Sequence, residues 1–216
     1  MYTGKVRPGG RPDVRELAGL SLTKLSVSDM DNNVYLLRCQ RTDDQLLVDA
    51  ADDAARILEL VGADGLSTIV TTHQHWDHHR ALAEVVEATG AATVAGAEDA
   101  DALPVAVDVR VGDDDVVPLG DCSLRVIHLA GHTPGSIALL YDDPDGAPHL
   151  FTGDSLFPGG PGRTTSPEDF GSLMDDLERK VFDRLPDETW VYPGHGADTT
   201  LGEQRPHLAE WRARGW

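Results

Sequence analysis

The stretch Thr72-His73-Gln74-His75-Trp76-Asp77-His78 brings four potential metal ligands into one short segment. It follows the apolar run 66–70, which has the composition of a buried strand, and it precedes a segment with helical periodicity. The first two histidines, two positions apart, can point to the same side of the chain, whereas Asp77 and His78 begin the next turn and can reach a second point. This spacing predicts a loop between a strand and a helix that binds two metal ions.

Three later segments place further candidate ligands directly after apolar runs: Gly131-His132-Thr133, Gly153-Asp154 and Gly194-His195-Gly196. Each candidate ligand therefore follows a predicted strand, and sites in layered α/β folds assemble at the carboxyl ends of strands. The adjacent glycines allow the backbone to approach a metal ion closely. A set of imidazoles and carboxylates without thiolates fits zinc, iron or manganese, and zinc is the usual metal for hydrolysis.

Apolar runs and helical periodicity alternate along the chain and predict a layered α/β fold. Buried or half-buried strands are predicted at 20–27, 34–39, 45–48, 67–71, 92–95, 107–111, 124–129, 137–141, 150–152 and 189–192. Helices are predicted at 54–61, 79–89 and 166–185, the last with Ser166 as N-cap and Pro167 at its first position. The alternation suggests two sheets faced by helices, but alone it does not distinguish this arrangement from a doubly wound single sheet.

The composition predicts one domain and disfavours several kinds of partner. A length of 216 residues with 40 % hydrophobic content suits one α/β domain, which we place at 20–216 after an N-terminal arm at 1–19. The formal charge of −19 repels nucleic acid and anionic lipid. No apolar run approaches the roughly 20 residues that cross a bilayer, and the arm lacks the apolar core of a secretory signal. We therefore expect a cytoplasmic protein with no nucleic-acid or membrane partner.

The two cysteines and the histidines outside the motifs are expected to be structural. Cys39 and Cys122 each lie within an apolar run, which predicts small buried hydrophobes rather than a disulfide framework. Structural or solvent-facing positions are expected for His128, His149 and His207. For His79 and Arg80 two interpretations stay open, since they either face the site or start the next helix.

The linked motifs resemble the metallo-β-lactamase superfamily, and most closely its small glyoxalase II-like (hydroxyacylglutathione hydrolase-like) members. The matching segments are THQHWDH at 72–78, GHTPGS at 131–136, FTGDSLF at 151–157, PGHG at 193–196, MDNNVYLL at 30–37 and LLVDA at 46–50. Their order and spacing agree from about residue 20 to residue 195. The resemblance implies a four-layer αβ/βα sandwich, which is the metallo-β-lactamase fold.

The resemblance also implies a ligand set and a reaction. One metal ion would be held by His73, His75 and His132, the other by Asp77, His78 and His195, with Asp154 bridging the two. We expect two zinc ions, with iron or manganese as alternatives, and a metal-bound hydroxide that attacks a small thioester or ester. Asp77 would also orient the nucleophile and carry its proton, and Asp49, at a strand end, would hydrogen-bond a ligand.

The expected substrate-binding residues differ from those of glyoxalase II enzymes proper, which bind glutathione with basic residues of a C-terminal helical region. Only 21 residues follow His195 here, and Gly196 and Ala197 stand where the family has an acidic residue and a tyrosine that contacts glutathione. Arg163 matches a basic position that contacts substrate, whereas Thr165 stands where an aromatic residue is expected. We therefore expect a small acyl substrate bound by Arg163, with glutathione thioesters hydrolysed poorly.

Other functions on the same fold stay open. A persulfide dioxygenase would use one iron held by two His and one Asp, and a lactonase or a nuclease would use the same metals as the hydrolase. A flavodiiron module usually has Glu in place of His75, and the best-known drug-hydrolysing β-lactamases have Cys in place of Asp154. A non-catalytic metal-binding protein would not need an open coordination position. The sequence leaves the oligomeric state open.

Overall fold

Two β-sheets form from the apolar runs of the sequence. A computed structural model of the chain describes residues 2–215. The first sheet contains β1 (Asp13–Glu16), β2 (Leu20–Val27), β3 (Asn32–Cys39), β4 (Gln45–Val48), β5 (Thr68–Thr71), β6 (Ala92–Gly96) and β7 (Val109–Val111), in that spatial order. Its first four strands are antiparallel, and β4 to β7 run parallel.

The strands in the second half of the chain are β8 (Val116–Leu119), β9 (Cys122–His128), β10 (Ile137–Tyr141), β11 (His149–Gly153), β12 (Leu156–Phe157), β13 (Gly160–Pro161), β14 (Trp190–Pro193) and β15 (Thr199–Thr200). Six of these strands form the second sheet, in the spatial order β15-β14-β11-β10-β9-β8. β12 and β13 form a separate hairpin. Within the second sheet β11 and β14 are parallel, so their carboxyl ends lie side by side.

Helices cover the outer face of each sheet. Within residues 2–215 the α-helices are α1 (Ala54–Val61), α2 (Leu82–Thr89), α3 (Pro167–Asp176), α4 (Leu201–Gln204) and α5 (Leu208–Arg214). One apolar cluster joins α1 and α2 to the first sheet, a second joins α3 and the C-terminal helices to the second sheet, and a third lies between the sheets. These layers make the four-layer αβ/βα sandwich that the sequence predicts.

The alternation of side chains along β3 shows why the layers form. Tyr35 and Leu37 point into the core between the sheets, whereas Val34 and Leu36 pack against the helices. This period of two is the signature of a strand that is buried on both faces. Because both faces are apolar, each sheet needs a cover on both sides.

The helix predicted at 166–185 begins as expected and ends differently. Ser166 caps α3 by accepting a hydrogen bond from the backbone N–H of Asp169, with Pro167 in the first turn. The regular helix stops at Asp176 and continues as a π-helical segment, Leu177–Phe182. Among residues 2–215, no helix combines the length and apolar character needed to span a bilayer.

The structure differs from the sequence-based prediction in the start of one helix and in several short elements that were not predicted. The helix expected at 79–89 begins at Leu82, because a 3-10 turn, Trp76–His78, precedes it. Helices α4 and α5 follow the last motif. Strand β1 lies in the segment described above as an arm and pairs with β2 at the edge of the first sheet.

A partly buried chain of polar side chains connects β1 to the second sheet. Arg15 Nη1 donates a hydrogen bond to Tyr192 Oη over 3.2 Å, and Tyr192 Oη lies 2.9 Å from His149 Nδ1. Since the phenolic oxygen accepts from the arginine, its hydrogen is free to be donated to a neutral His149. Burial, followed by the positive charge of Arg15, lowers the pKa of His149 from 6.5 to about 4.

We predict that this histidine makes the fold acid-sensitive. Below pH 6.5 His149 binds a proton in the unfolded chain but stays neutral in the folded chain. The free energy of unfolding therefore falls by up to about 3 kcal/mol as the pH falls towards 4. In His149→Gln, which keeps an acceptor for Tyr192 without titrating, this part of the decline should vanish. Urea unfolding of the metal-free protein from pH 7 to pH 4.5 measures it. The exposed His207→Gln is the control, and equal slopes for wild type and His149→Gln would refute the assignment.

Candidate metal centre

All seven side chains predicted as metal ligands converge on one edge of the sandwich. Their ligand atoms form three groups, each within 4.8 Å: His73, His75 and His132; His73, His78 and Asp154; Asp77, His78 and His195. Because the groups share members, they form one continuous cluster rather than separate sites. The donor set is imidazole and carboxylate only, which suits divalent first-row metal ions.

The ends of strands from both sheets deliver these residues. The loop after β5 and its 3-10 turn supply the ligands of the HQHWDH segment, and the loop between β9 and β10 supplies His132. Asp154 follows β11 and His195 follows β14, and these two strands are parallel neighbours. The sequence expectation that every ligand follows a strand therefore matches the topology.

Asp154 lies between the two halves of the cluster. Its Oδ1 is 3.3 Å from His78 Nε2, and its Oδ2 is 3.6 Å from His132 Nε2 and 3.5 Å from His195 Nε2. Within residues 2–215, buried Oδ1 has no hydrogen-bond partner of good geometry. A buried carboxylate oxygen without a partner is costly, so its position fits a cation that the cluster would hold.

Three side chains of the cluster have strongly shifted pKa values. Burial alone would raise the pKa of Asp154, but the His195 and His78 imidazoles hold it well below its usual value. Burial and then the neighbouring His78 lower the pKa of His73, which keeps this imidazole in its neutral, metal-binding form. Burial opposes protonation of His78, yet the carboxylates of Asp49 and Asp154 raise its pKa to about 10, so a proton and a metal ion compete for this side chain.

Four of the candidate imidazoles use Nδ1 to bond the protein and direct Nε2 into the cluster. The Nδ1 contacts are His73 to Thr72 Oγ1 (3.0 Å), His78 to Asp49 Oδ2 (2.8 Å), His132 to Arg163 O (2.6 Å) and His195 to Met30 O (2.9 Å). Such contacts fix the tautomer and the ring orientation of a metal ligand. The acceptors other than Asp49 were not predicted from the sequence, because two of them are backbone carbonyls.

Asp49 orients a histidine in each half of the cluster. Its Oδ2 accepts from His78 and also from Thr72 Oγ1 over 2.8 Å, and its Oδ1 accepts from the Thr72 backbone N–H over 2.7 Å. Since the Thr72 hydroxyl donates to Asp49, its oxygen accepts from His73 Nδ1. The sequence suggests a supporting role for Asp49, and the structure places its carboxylate in contact with His78.

Two further polar residues support the loops and were missed from the sequence. Asn32 Nδ2 donates to Asp77 Oδ2 over 3.0 Å and to the Asp77 carbonyl over 3.1 Å. Asp99 accepts from the Gln74 N–H (2.9 Å), the Gly135 N–H (2.8 Å) and the Thr133 hydroxyl (2.5 Å), which ties two ligand loops together. Asn32 lies within the MDNNVYLL motif, whereas nothing in the sequence separates Asp99 from the other scattered acids.

A buried lysine holds the loop that follows His195. Lys24 is fully buried, and its Nζ donates to Asp198 Oδ1 (2.6 Å) and to the carbonyls of Gly196 (2.7 Å) and Gly4 (3.0 Å). Desolvation lowers the pKa of Lys24, and the Asp198 carboxylate opposes that shift. The ion pair therefore fixes this loop against β2 and the N-terminal segment.

Gly194 shows how closely the backbone approaches the cluster. A Cβ atom at this position would lie 2.2 Å from Asp154 Oδ1 and 2.6 Å from His78 Cε1. No side chain larger than hydrogen fits there without displacing a ligand. This observation gives a structural reason for the glycine that precedes His195.

The predicted substrate residue Arg163 lies beside the cluster. It lines a cavity of about 330 Å³ together with His75, His132, Thr164 and Thr165. It also borders a second cavity of about 370 Å³, which Phe170 and Arg214 line as well. Arg214 belongs to α5, so a C-terminal helix brings another arginine to this side of the molecule.

The residues beside the first motif have structural partners. His79 is buried, and its Nε2 lies 3.0 Å from the Gln74 carbonyl, so it braces the ligand loop. The Arg80 guanidinium stacks 3.9 Å from the centre of the exposed Trp76 ring and pairs with Asp52 over 2.9 Å. These contacts favour the interpretation that both residues shape the start of the helix.

Comparison with known proteins places this geometry in a family. A family model described as the metallo-β-lactamase superfamily matches residues 27–195. A hydroxyacylglutathione hydrolase from Rhodospirillum rubrum is 34 % identical over 185 residues, which cover 85 % of this chain and 66 % of that protein. The crystal structure of ETHE1 from Myxococcus xanthus superposes with a TM-score of 0.76 at 31 % identity, covering 87 % of this chain and 82 % of that one.

A further solved structure, TTHA1623 in a di-iron-bound form, has a TM-score of 0.69 at 30 % identity and covers 84 % of this chain and 96 % of that one. By contrast, the chain spans 66 % or less of the length of the curated hydroxyacylglutathione hydrolases that it matches. Their names therefore describe longer proteins than the part matched here.

We predict that Asp49→Asn weakens metal binding about 10- to 100-fold while the protein stays folded. The amide has a single acceptor oxygen and no charge, so it cannot serve both His78 and Thr72. Competition between the protein and a chromogenic zinc chelator measures the affinity, and circular dichroism checks the fold. Asp52→Asn is the matched control, because Asp52 pairs with Arg80 and contacts no ligand histidine. Wild-type affinity in Asp49→Asn would show that this carboxylate does not orient the ligands.

Proposed function

This chain belongs to the metallo-β-lactamase superfamily, and we propose that it is a dinuclear metal-dependent hydrolase that acts on small thioesters or esters. The observation that carries the proposal is the position of Asp154, whose carboxylate lies between two sets of imidazoles with one buried oxygen unpartnered. In the proposed assignment one ion would be held by His73, His75 and His132 and the other by Asp77, His78 and His195, and Asp154 would be a ligand of both.

We propose two zinc ions, with iron as the first alternative because a relative of similar length has been solved in a di-iron-bound form. When bound, the ions supply Lewis acidity, which lowers the pKa of water towards neutrality and polarises a carbonyl oxygen. Asp77 is held by Asn32, and its Oδ2 lies 3.2 Å from His195 Nε2. In this proposal Asp77 orients the attacking water and accepts its proton, while Asp49 and the backbone acceptors hold the imidazoles in place.

The proposed substrate carries an anionic group. The protein has a formal charge of −19, so an anion needs a local cation to enter the site. Arg163 lines the cavity beside His75 and His132, and Arg214 lies in the neighbouring cavity. The name hydroxyacylglutathione hydrolase, borne by a relative, supports a thioester, whereas Thr165 and Ala197 lead us to expect poor turnover of glutathione thioesters.

The test of the proposal combines metal analysis with a substrate panel. We expect two metal ions per chain and hydrolysis of small acyl thioesters or esters, with S-lactoylglutathione turned over less efficiently. Asp154→Ala should lose metal and turnover together, because a bridging carboxylate balances the charge of two cations. The exposed Asp175→Ala serves as control. Two retained metals and near-normal turnover in Asp154→Ala would exclude the bridge, and one iron per chain with oxygen consumption would favour a dioxygenase instead.

We predict that Arg163→Ala raises KM for an anionic substrate with little change in kcat and no loss of metal. The backbone carbonyl that accepts from His132 stays in this variant, so the ligand remains oriented. The expected loss is about 1.5 to 3 kcal/mol, the range for a hydrogen bond to a charged group. Arg38→Ala, at the far end of β3, is the matched control. If a neutral ester suffers the same loss as the anionic substrate, Arg163 does not bind the charged group.

A further inference from the structure

The loop that carries His195 depends on contacts from outside itself. The His195 side chain is 21 % exposed, whereas the side chain of His78, in the same group of candidate ligands, is fully buried. His195 lies between Gly194 and Gly196, and Gly196 has a φ of 68°. Because glycine adds backbone freedom and the ring is only partly packed, hydrogen bonds must supply much of the support for this ligand.

Main-chain hydrogen bonds hold the residues on both sides of His195. The Gly194 carbonyl accepts from the Asn33 N–H over 2.7 Å, and the Gly196 N–H donates to the Asp31 carbonyl over 3.1 Å. These partners belong to β3 and to the turn that precedes it. The contacts align the loop with β3, and they leave the Gly196 carbonyl to side-chain donors.

Two buried side chains donate to the Gly196 carbonyl. Lys24 Nζ, from β2, lies 2.7 Å from this oxygen, and Asn33 Nδ2 lies 3.0 Å from it. Lys24 and Asn33 are both fully buried, so neither donor is exposed to bulk solvent. Since an ammonium is a charged donor, its hydrogen bond is the stronger of the two.

The remaining partners of Lys24 fix the position of its ammonium. Asp198 Oδ1 pairs with Nζ over 2.6 Å, and the Gly4 carbonyl accepts from Nζ over 3.0 Å. Asp198 is itself held, because its Oδ2 accepts from Tyr2 Oη over 2.7 Å and from Trp190 Nε1 over 3.2 Å. Together with the carbonyl described above, these acceptors use all three N–H donors of the ammonium.

We propose that Lys24 is a positioning residue for His195, and through His195 for the metal ion that Asp77, His78 and His195 would bind. The inference rests on the ligand assignment of the proposed function. Lys24 holds the backbone one residue beyond His195, while the Met30 carbonyl holds the ring through Nδ1 over 2.9 Å. The two contacts together restrict where Nε2 lies.

The hydrogen bonds of Lys24 reach only one half of the cluster. The loop with His132 is held by Asp99, and His73 is oriented through the Thr72 hydroxyl. In the described part of the chain, residues 2–215, the hydrogen bonds of Lys24 go to none of these residues. Loss of the ammonium should therefore weaken one of the two proposed metal sites and spare the other. A purely structural role would lower stability without separating the sites.

The first test is a stepwise cobalt titration of the metal-free protein, with a chromogenic chelator as competitor. In Lys24→Met we expect one of the two dissociation constants to rise about 10- to 100-fold, as on loss of other groups that support metal ligands, while the other stays near its wild-type value. His195→Ala and His132→Ala show which constant belongs to which half of the cluster. The absorption spectrum of bound cobalt should change only for the site that His195→Ala removes.

Two further variants separate positioning from stability. Lys24→Met leaves Asp198 without its cation, so Lys24→Met/Asp198→Asn, which leaves no unpaired charge, should show the same selective loss. Arg205→Met is the matched control, because Arg205 also donates to a carboxylate, that of Asp187, and to two backbone carbonyls, none of them next to a candidate ligand. It should lower resistance to urea and leave both cobalt constants unchanged.

Hydrogen exchange of the Gly196 N–H in the metal-free protein gives a second measurement, which does not depend on metal stoichiometry. In Lys24→Met this N–H should exchange at least about tenfold faster relative to the amides of β10, and in Arg205→Met it should not. Unchanged exchange, or an equal weakening of both cobalt sites, would overturn the positioning role. If wild type binds a single cobalt ion, the dinuclear function fails, while the exchange result still decides the role of Lys24.

Discussion

The buried charge of Asp154 is the constraint on which the arrangement of the site depends. A carboxylate in this position is stable only when cations or hydrogen-bond donors surround it. Its two oxygens lie within 3.6 Å of imidazoles from three different loops. The loops after β5, β9, β11 and β14 must therefore meet at one point, and this requires the two sheets to pack with the same edge aligned. The packing of the two sheets and the geometry of the cluster therefore depend on each other.

Polar contacts rather than apolar packing hold the ligand loops in register. Asp49 joins β4 to the loop after β5, Asp99 joins that loop to the one before β10, and Lys24 joins β2 to the loop after β14. Buried networks of this kind contribute little net stability, because desolvation offsets the attraction. Because the polar groups of such a network are all hydrogen-bonded in only one geometry, the network favours one arrangement of the backbone. A cluster that brings seven candidate ligands close together depends on that selection more than on extra stability.

The sequence predicted the parts of the molecule that local pattern encodes. The ligand loops follow from their spacing, the strands from apolar runs, and the start of α3 from Ser166 and Pro167. It did not predict the π-helical continuation after Asp176, nor β1, α4 and α5, which are short and carry little periodicity. Partners distant in sequence, such as Lys24 with Asp198 or Arg15 with Tyr192, could not be predicted from the sequence, because only the folded topology brings them together.

Arg163 contributes to the site in two ways, through its backbone carbonyl and, as we propose, through its side chain. Its backbone carbonyl receives the Nδ1 proton of His132, while its side chain lines the cavity next to the cluster. The backbone role demands only that the loop keep its path, which Gly162 permits because a Cβ there would lie 1.7 Å from the Asp154 carbonyl oxygen. The side chain is then free to change without disturbing the ligand. A change of the Arg163 side chain would therefore leave the orientation of His132 intact, and membership of the family does not by itself define a substrate.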